Sequence, residues 1–155
     1  MKVLTVLVPT YNVEKYLRRC LDSLLLPEVL EEIEVLVVND GSKDGSADIA
    51  RAYEKKYPQT VVFVDKENGG HGSTINVGIE KAQGTYFKVL DSDDWVNIGD
   101  FIEFVKRLKE ETADAVICDY RKEHVYNGKS EYFEYKDLED GKKYNLNEID
   151  LNILH

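Results

Sequence analysis

Three carboxylates lie within four residues at Asp91-Ser92-Asp93-Asp94, directly after an apolar run that ends at Leu90. Charges of one sign repel each other at this spacing, and a hard divalent cation such as Mg²⁺ or Mn²⁺ relieves that repulsion. Such a cation takes oxygen ligands and recruits the phosphates of a substrate as further ligands. The segment therefore predicts a metal site. The alternative is a solvated turn that caps the next helix, because Asp is common in turns.

Polar clusters also follow three other apolar runs. They are Pro9-Thr10-Tyr11-Asn12, Asn39-Asp40-Gly41-Ser42 and the segment 65–72. The carboxyl ends of parallel strands share one edge of a sheet, and ligands of open α/β sheets bind outside that edge. Together with the acidic segment, these clusters predict one polar cleft that holds several carboxylates and one aromatic side chain, Tyr11.

Two loops of this predicted cleft have the composition of ligand-binding turns. Asp40, at the end of a predicted strand, is placed to accept hydrogen bonds from a base or a ribose, while Asp44 and Ser46 are expected to cap the next helix. In the segment 67–73, glycines let backbone N–H groups approach an anion at the start of a helix. A dinucleotide fingerprint is excluded, since Ile75 stands where its last glycine is needed. An ordinary strand-to-helix turn remains the alternative for most residues of these loops.

The elements that must position these loops alternate between strand and helix. Short apolar or β-branched runs predict strands at Val3–Val8, Ile33–Val38, Val61–Val64, Tyr86–Leu90 and Ala115–Cys118. Helical periodicity predicts a helix from Asn12, as its N-cap, to Pro27, and further helices over 47–57, 73–82 and 101–109. Strands that are apolar on both faces and joined by helices predict an α/β fold with a mostly parallel sheet flanked by helices.

The C-terminal part of the chain has a different pattern. Alternating polar and aromatic residues over 120–135, around the turn-like Asn127-Gly128, predict a small antiparallel hairpin. A weak apolar series at Leu146, Ile149 and Ile153 predicts a short helix.

Length and charge narrow the function further. A chain of 155 residues, 43% of them hydrophobic and 32% charged, predicts a globular domain with one core. Its 20 basic and 30 acidic residues give a net charge of −10, so no nucleic acid partner is expected. Cys20 and Cys118 lack metal-ligand spacing, which favours a reducing cytoplasm. No membrane span or export signal is expected, because the apolar run 3–9 is too short.

The order and spacing of these motifs resemble family 2 glycosyltransferases, which have the Rossmann-like GT-A fold. The resemblance is carried by Val-Pro-Thr-Tyr-Asn at 8–12, Val-Val-Asn-Asp-Gly-Ser-Lys-Asp-Gly-Ser at 37–46, Asn-Gly-Gly at 68–70, Ala-Gln-Gly-Thr-Tyr at 82–86 and Leu-Asp-Ser-Asp-Asp-Trp at 90–95. It covers residues 1–120, which we expect to form the nucleotide-sugar-binding core. Residues 121–155 are then expected to form the hairpin and the start of an acceptor-side region, cut short in this chain.

The resemblance implies that the chain binds a nucleotide sugar, which we expect to be UDP-linked. The implied nucleotide-binding residues are Pro9, Thr10, Tyr11, Asp40, Asn68, Gly70, Asp91 and Ser92. The Asp-x-Asp turn maps onto Asp91, near the ribose, and Asp93, toward a divalent metal, Mn²⁺ or Mg²⁺, and both are implied metal ligands. The implied reaction transfers the sugar, with inversion, to a hydroxyl of a carbohydrate or lipid-linked acceptor, as in polysaccharide or glycoconjugate synthesis. A general base must deprotonate that hydroxyl.

Two features depart from the pattern of the family. Ile75 stands where the family usually carries an arginine, so a cationic contact to the donor is lost, and His71 in the same loop is a candidate substitute. No residue after Asp94 matches the general base of the family. We therefore expect the base to lie beyond residue 155, in a longer enzyme of which this chain is the donor-binding portion. Such an enzyme is expected in the cytoplasm, or at the inner face of the membrane through parts outside this chain.

Two other functions remain open from the sequence. A non-catalytic nucleotide-binding or scaffold module with the same fold is favoured by Ile75 and by the missing base. A nucleotidyltransferase, which belongs to a different enzyme class, has a similar sheet. A receiver-type signalling domain is not favoured, because it needs an acidic pair after the first strand, where Pro9 and Thr10 stand.

Overall fold

Four parallel strands form the sheet that carries the predicted cleft. The computed structural model describes residues 1–124, 126–136 and 138–145. In chain order the elements are β1 (Leu4–Thr10), α1 (Glu14–Leu24), β2 (Ile33–Asp40), α2 (Ser46–Lys56), β3 (Val61–Lys66), α3 (His71–Lys81), β4 (Tyr86–Val89), α4 (Ile98–Leu108), β5 (Tyr120–His124) and β6 (Lys129–Phe133). The four-stranded sheet has the order β3-β2-β1-β4, and all its pairings are parallel. The predicted α/β architecture is confirmed.

The chain divides into two compact units, Met1–Glu111 and a second one that begins at Thr112. The first unit contains the parallel sheet and its four helices, each 11 residues long. Among the described residues, no helix combines the length and the apolar character needed to cross a bilayer. The predicted division of roles between residues 1–120 and 121–155 stays a prediction.

Helices cover both faces of the parallel sheet. Successive strand residues point to opposite faces, and two separate apolar clusters follow from this alternation. One cluster contains Val6, Val8, Val35 and Val37 together with residues of α1, α2 and α4. The other contains Leu7, Leu36 and Val38, packed against Ile75 and Val77 of α3. Strands β1 and β2 are buried along their whole length, so the loops that follow them are firmly anchored.

A buried hydrogen-bond network fixes the entry of β4 into the sheet. Glu34 is 4% exposed, and its Oε2 accepts hydrogen bonds from Thr5 Oγ1 at 2.7 Å and from Gln83 N at 3.0 Å. Gly84 N donates to Thr5 Oγ1 at 2.8 Å. A Cβ on Gly84 would lie 2.4 Å from Thr5 N, so only glycine fits there. These contacts set where β4 starts and therefore where the acidic segment emerges.

The starts of α1 and α2 differ in part from the prediction. Helix α1 begins at Glu14, and Val13 is its N-cap residue. Asn12 is therefore not the cap, because its φ of 52° places it in the left-handed region before the helix. At α2, Asp44 Oδ1 accepts a hydrogen bond from Ser46 N at 3.0 Å and so supports the helix start. Ser46 is itself the first helical residue and caps nothing in α2.

The predicted strand at Ala115–Cys118 is wrong. Residues 115–118 have no regular secondary structure, and Val116 and Ile117 are 40% and 44% exposed. A short apolar run becomes a strand only when another strand pairs with it, and no strand in the described part of the chain pairs with this run.

The predicted C-terminal hairpin is confirmed. Strands β5 and β6 pair antiparallel from Tyr120 opposite Phe133 to His124 opposite Lys129. The rings of Tyr120 and Phe133 stack with their centroids 4.7 Å apart. The short helix predicted around Leu146, Ile149 and Ile153 lies outside the described residues.

Candidate functional site

The register of the parallel sheet brings the four predicted clusters to one edge. Thr10 at the end of β1 lies beside Asn39, and Asp40 at the end of β2 lies beside Lys66. Strand β4 pairs with β1 on its other side, so the segment 91–94 leaves the sheet at the same edge. The shared edge predicted from the sequence is therefore formed.

Asp40 lies at the centre of a hydrogen-bond network at this edge. Its side chain is 4% exposed. Oδ1 accepts a hydrogen bond from Gly69 N at 2.9 Å, and Oδ2 accepts one from Gly70 N at 2.8 Å. Lys66 Nζ forms an ion pair with Oδ1 and also donates to Ser73 Oγ at 2.9 Å. Asp40 thus ties the end of β2 to the end of β3 and to the start of α3.

These contacts keep Asp40 ionised. Burial alone raises the pKa of the carboxyl group, but the hydrogen bonds from Lys66, Gly69 and Gly70 outweigh burial, so the pKa lies below its usual value. A carboxylate offers about four lone-pair sites, and these partners occupy three of them. Asp40 therefore holds the 66–70 loop, and one of its four lone-pair sites is not used by these three partners.

The glycine-rich loop uses its amides within the protein. The N–H groups of Gly69 and Gly70 point at Asp40, and Gly70 has a φ of 84°, which favours glycine. Asn68 is exposed, and its Nδ2 donates to the backbone O of Asp40 at 3.0 Å. The sequence predicted that these amides approach an anion, whereas here the anion they contact is the Asp40 carboxylate.

The position of the expected family arginine carries no charge. Ile75 packs in the apolar cluster between α3 and the sheet. His71, the candidate substitute, is exposed and is the first residue of α3. A positive charge in this network is carried by Lys66, which contacts Asp40 directly.

The loop after β1 presents Tyr11. The ring of Tyr11 is 49% exposed, whereas Thr10 is buried and its Oγ1 donates back to Val8 O at 3.1 Å. Pro9 is also buried. Tyr11 thus supplies the exposed aromatic ring of this loop, and Pro9 and Thr10 shape the buried backbone before it.

The acidic segment forms a tight turn, in which Asp94 N donates to Asp91 O at 2.9 Å. Ser92 is 5% exposed, while Asp91, Asp93 and Asp94 are all exposed. Partial burial raises the pKa of Asp94, and repulsion from Asp93 and Asp91 raises it further. The turn therefore carries an excess of negative charge that a cation would relieve.

The donor set of this turn fits a divalent cation that is shared with a phosphate. Within the described ranges, no three acidic, histidine or cysteine side chains surround a common metal position. Mg²⁺ commonly takes one or two carboxylates from the protein and completes its shell with water and substrate phosphates. Asp91 and Asp93, both exposed on one turn, supply that number of carboxylates.

Helix α1 packs directly against the acidic turn. Cys20 Sγ lies 3.8 Å from Asp91 O, and Ser23 Oγ accepts a hydrogen bond from Val96 N at 3.2 Å. Burial raises the pKa of Cys20 to about 12, and the carboxylates of the turn add to the shift, so the thiol stays protonated. The turn is therefore held at both of its ends by one helix.

A groove of about 600 Å³ opens beside the ends of β2 and β3. Within it, Asp65 accepts hydrogen bonds from Asn39 Nδ2 at 2.7 Å and from Arg51 Nη2 at 2.8 Å. Its lining also includes Lys66 but neither Tyr11 nor the acidic turn. The sequence placed the segment 65–72 in the predicted cleft but gave Asp65 and Lys66 no individual role, and it gave Arg51 none. The available signal was the charged pair Asp65-Lys66 at the end of a predicted strand.

The chain is similar to named glycosyltransferases. It is 41% identical over 126 residues to the putative glycosyltransferase EpsH of Bacillus subtilis, a match that covers 81% of this chain and 36% of EpsH. The crystal structure of S. aureus TarS 1-349 in complex with UDP-GlcNAc matches with a TM-score of 0.60 and 35% identity, over 71% of this chain and 32% of that one.

A mannosyltransferase, PcManGT from Pyrobaculum calidifontis in complex with GDP-Man and Mn²⁺, matches with a TM-score of 0.57 and 28% identity, over 66% of this chain and 31% of that one. The match thus covers about a third of EpsH, of the TarS fragment 1-349 and of the PcManGT chain. The family model for glycosyl transferase family 2 matches residues 5–152. The GT-A fold that the motifs implied is confirmed, and the chain belongs to glycosyl transferase family 2.

Proposed function

We propose that this chain binds the nucleotide-sugar donor of a glycosyltransferase at the carboxyl edge of its parallel sheet. The observation that carries the proposal is the meeting, at that one edge, of an exposed aromatic ring, an ionised strand-end carboxylate and an acidic turn. Membership of glycosyl transferase family 2 supports the reaction class. The TarS fragment, 35% identical, was solved with UDP-GlcNAc, and PcManGT, 28% identical, was solved with GDP-Man, so the more similar of the two supports a UDP-linked donor.

The nucleoside end of the donor is proposed to bind between Tyr11 and Asp40. The exposed Tyr11 ring offers a face on which a base can stack. Asp40 has one acceptor position left for a base N–H or a ribose hydroxyl. The backbone around Pro9 and Thr10 and the loop residues Asn68 and Gly70 are proposed to line the same site.

The diphosphate end is proposed to lie over the acidic turn. Asp91 and Asp93 would hold a divalent cation, Mn²⁺ or Mg²⁺, and Asp91 and Ser92 would lie near the ribose. When bound, the cation would stabilise the negative charge that develops on the leaving nucleoside diphosphate. PcManGT was solved with GDP-Man and Mn²⁺, which favours a divalent cation here as well.

The proposed reaction is an inverting transfer. An acceptor hydroxyl oxygen bonds to the anomeric carbon while the bond from that carbon to the diphosphate oxygen breaks, and a general base takes the hydroxyl proton. We place the base outside this chain, in another part of a longer enzyme. Within that division, the residues of this chain bind and orient the donor, and the acceptor is a carbohydrate or a lipid-linked hydroxyl. We propose a cytoplasmic location. Cysteine thiols stay reduced in the cytoplasm, and nucleotide sugars are found there.

Calorimetric titration with UDP, with and without MnCl₂, tests this proposal. We expect Mn²⁺ to strengthen UDP binding in the wild type and Asp93→Asn to remove that gain, weakening binding in Mn²⁺ by about tenfold or more. Asp100→Asn is the matched control, since it makes the same charge change on a nearby exposed residue outside the turn. A folded wild-type protein that gives no heat with millimolar UDP and Mn²⁺ would refute the donor site.

A non-catalytic nucleotide-binding module is the second candidate. It is favoured by Ile75, which packs partly buried against the sheet and supplies no positive charge to the donor. A nucleotidyltransferase is a third reading of the same cleft. The three are separated by incubating the full-length enzyme with a sugar nucleotide or with a nucleoside triphosphate and analysing the products. Sugar transfer supports the proposal, nucleotidyl transfer supports the third reading, and binding without product supports the second.

A further inference from the structure

Asn12 has a backbone conformation that needs external support. Its φ of 52° makes it the one non-glycine residue with a left-handed φ in the parts of the chain that the structure describes. Among residues with a side chain, Asn tolerates this region best, and such conformations persist only where their surroundings fix them. Asn12 directly follows Tyr11, so its conformation decides the direction in which the Tyr11 loop leaves the sheet.

Asn12 is held by the loop that follows β2. Its Oδ1 accepts a hydrogen bond from Lys43 N at 2.8 Å, and its own N–H donates to Ser42 Oγ at 3.0 Å. The side chain and the backbone of one residue are thus both engaged by two consecutive residues of a neighbouring loop. The two hydrogen bonds together fix the position of Asn12 more strongly than either bond alone.

The next two residues continue the same connection. Val13 N donates to Ser46 Oγ at 3.0 Å, and Glu14 N donates to Asp44 Oδ2 at 3.1 Å. In return, Gly45 N donates to Glu14 Oε2 at 2.6 Å. These five hydrogen bonds between residues 12–14 and 42–46 are called the loop clamp below. They also satisfy N–H groups at the start of α1 that have no partner within the helix.

We propose that Asn12 is a positioning residue for donor binding, and that the loop clamp it anchors fixes the Tyr11 ring in the orientation that stacks on the nucleoside. The inference rests on the proposed function, because it needs Tyr11 to contact the donor. The loop clamp also gives the polar side chains of the segment 42–46 a role other than direct contact with a ligand. Ser42, Asp44 and Ser46 each accept a hydrogen bond from one of residues 12–14, so their proposed contribution to donor binding runs through Tyr11.

A double-mutant cycle separates this role from a merely structural one. Asn12→Gly keeps the left-handed backbone but removes the Oδ1 acceptor, and Asn12→Asp keeps both. We expect Asn12→Gly to weaken UDP binding in Mn²⁺ by about fivefold, and Asn12→Asp to restore affinity to within about twofold of the wild type. In a Tyr11→Ala background, Asn12→Gly should change the affinity by less than about twofold, because the residue through which it acts is gone.

Equal losses of affinity from Asn12→Gly in both backgrounds, or no loss in either, would overturn the proposal. Backbone ¹⁵N relaxation of the unliganded protein tests the clamp independently of any nucleotide. We expect Asn12→Gly to lower the order parameter of the Tyr11 amide while the centre of β1 is unchanged. An unchanged Tyr11 amide would overturn the clamp. A wild type that shows the clamp by relaxation but binds no UDP would refute the proposed function and, with it, the role of Asn12 in donor binding.

Discussion

At the residue scale, Asp40 has both a structural and a ligand-binding assignment. Its carboxylate accepts hydrogen bonds from the backbone N–H groups of Gly69 and Gly70 and forms an ion pair with Lys66. The side chain of Asp40 is 4% exposed. Replacing it by Asn removes the charge that Lys66 and the two glycine amides contact. We expect Asp40→Asn to lower the free energy of unfolding at pH 7 by about 2–3 kcal/mol, measured by urea denaturation.

The pH dependence of that difference follows from the lowered pKa of Asp40. A carboxyl group whose folded pKa lies below its unfolded value contributes stability that is complete above about pH 4 and is lost as the pH falls through the folded pKa. The stability gap between wild type and Asp40→Asn should therefore narrow as the pH falls below about 4. Asp48→Asn is the control, since its ion pair with Arg51 is exposed and should contribute less than about 1 kcal/mol at any pH. A gap that stays constant down to pH 2 would contradict the assigned ionisation.

The sequence could place these residues but could not predict their partners. The positions of Asp40 and of the acidic turn at strand ends were enough to predict that both lie at one edge. The register of a parallel sheet aligns the carboxyl ends of its strands. The contacts of Asp40 with Gly69 and Gly70 depend on how a loop almost thirty residues away folds back. No local sequence pattern encodes how that loop folds back. The contact between Lys66 and Asp40 was missed for the same reason.

At the scale of elements, Gly84 sets the position of β4. A Cβ there would meet the backbone atoms Thr5 N at 2.4 Å and Leu4 C at 2.7 Å, and backbone cannot rotate away as a side chain can. We expect Gly84→Ala to lower the free energy of unfolding by at least about 2 kcal/mol in chemical denaturation. Gly72→Ala is the matched control in α3, because its added Cβ would meet nothing within 4 Å apart from its chain neighbours and the backbone of its own helix. It should be neutral or slightly stabilising, and equal losses from both variants would contradict the packing described for β4.

Helix α1 also contacts the acidic turn through a cation–π pair. The guanidinium carbon of Arg19 lies 3.2 Å from the ring centroid of Trp95, which is the only tryptophan of the chain. We expect Arg19→Ala to shift the tryptophan fluorescence and to lower stability by about 0.5–1 kcal/mol. Lys15→Ala, on the exposed surface of the same helix, should leave the emission unchanged. An emission spectrum that is the same in Arg19→Ala and wild type would refute the contact.

Elements were predictable where a strong local pattern and a partner coincided. The strands β1 to β4 and the four helices follow from apolar periodicity, because each lies against another element that buries its apolar side chains. The run 115–118 has the same local composition but no described strand beside it, so it does not form a strand. The residue type of Asn12 predicted an N-cap. Asn12 lies instead in the left-handed region, because the 42–46 loop donates a hydrogen bond to its side chain.

At the scale of the whole molecule, the first unit, Met1–Glu111, contains every residue of the proposed donor site. The chain spans about a third of the length of the relatives to which it was compared. Donor binding is therefore what we propose for this chain, and the acceptor site and the general base stay proposals for other parts of a longer enzyme. The hairpin of the second unit is formed, and its role at the start of an acceptor-side region stays a prediction.

The carboxyl edge of the parallel sheet is proposed to bind a nucleoside diphosphate together with a divalent cation. Amide chemical-shift mapping of ¹⁵N-labelled protein, titrated with UDP in the presence of MgCl₂, tests it most directly. We expect the largest shifts in the four loops at residues 10–12, 39–42, 68–70 and 91–94, with little change at the opposite ends of the strands. A folded spectrum that does not change at millimolar UDP, or shifts confined to the hairpin 120–133, would contradict it.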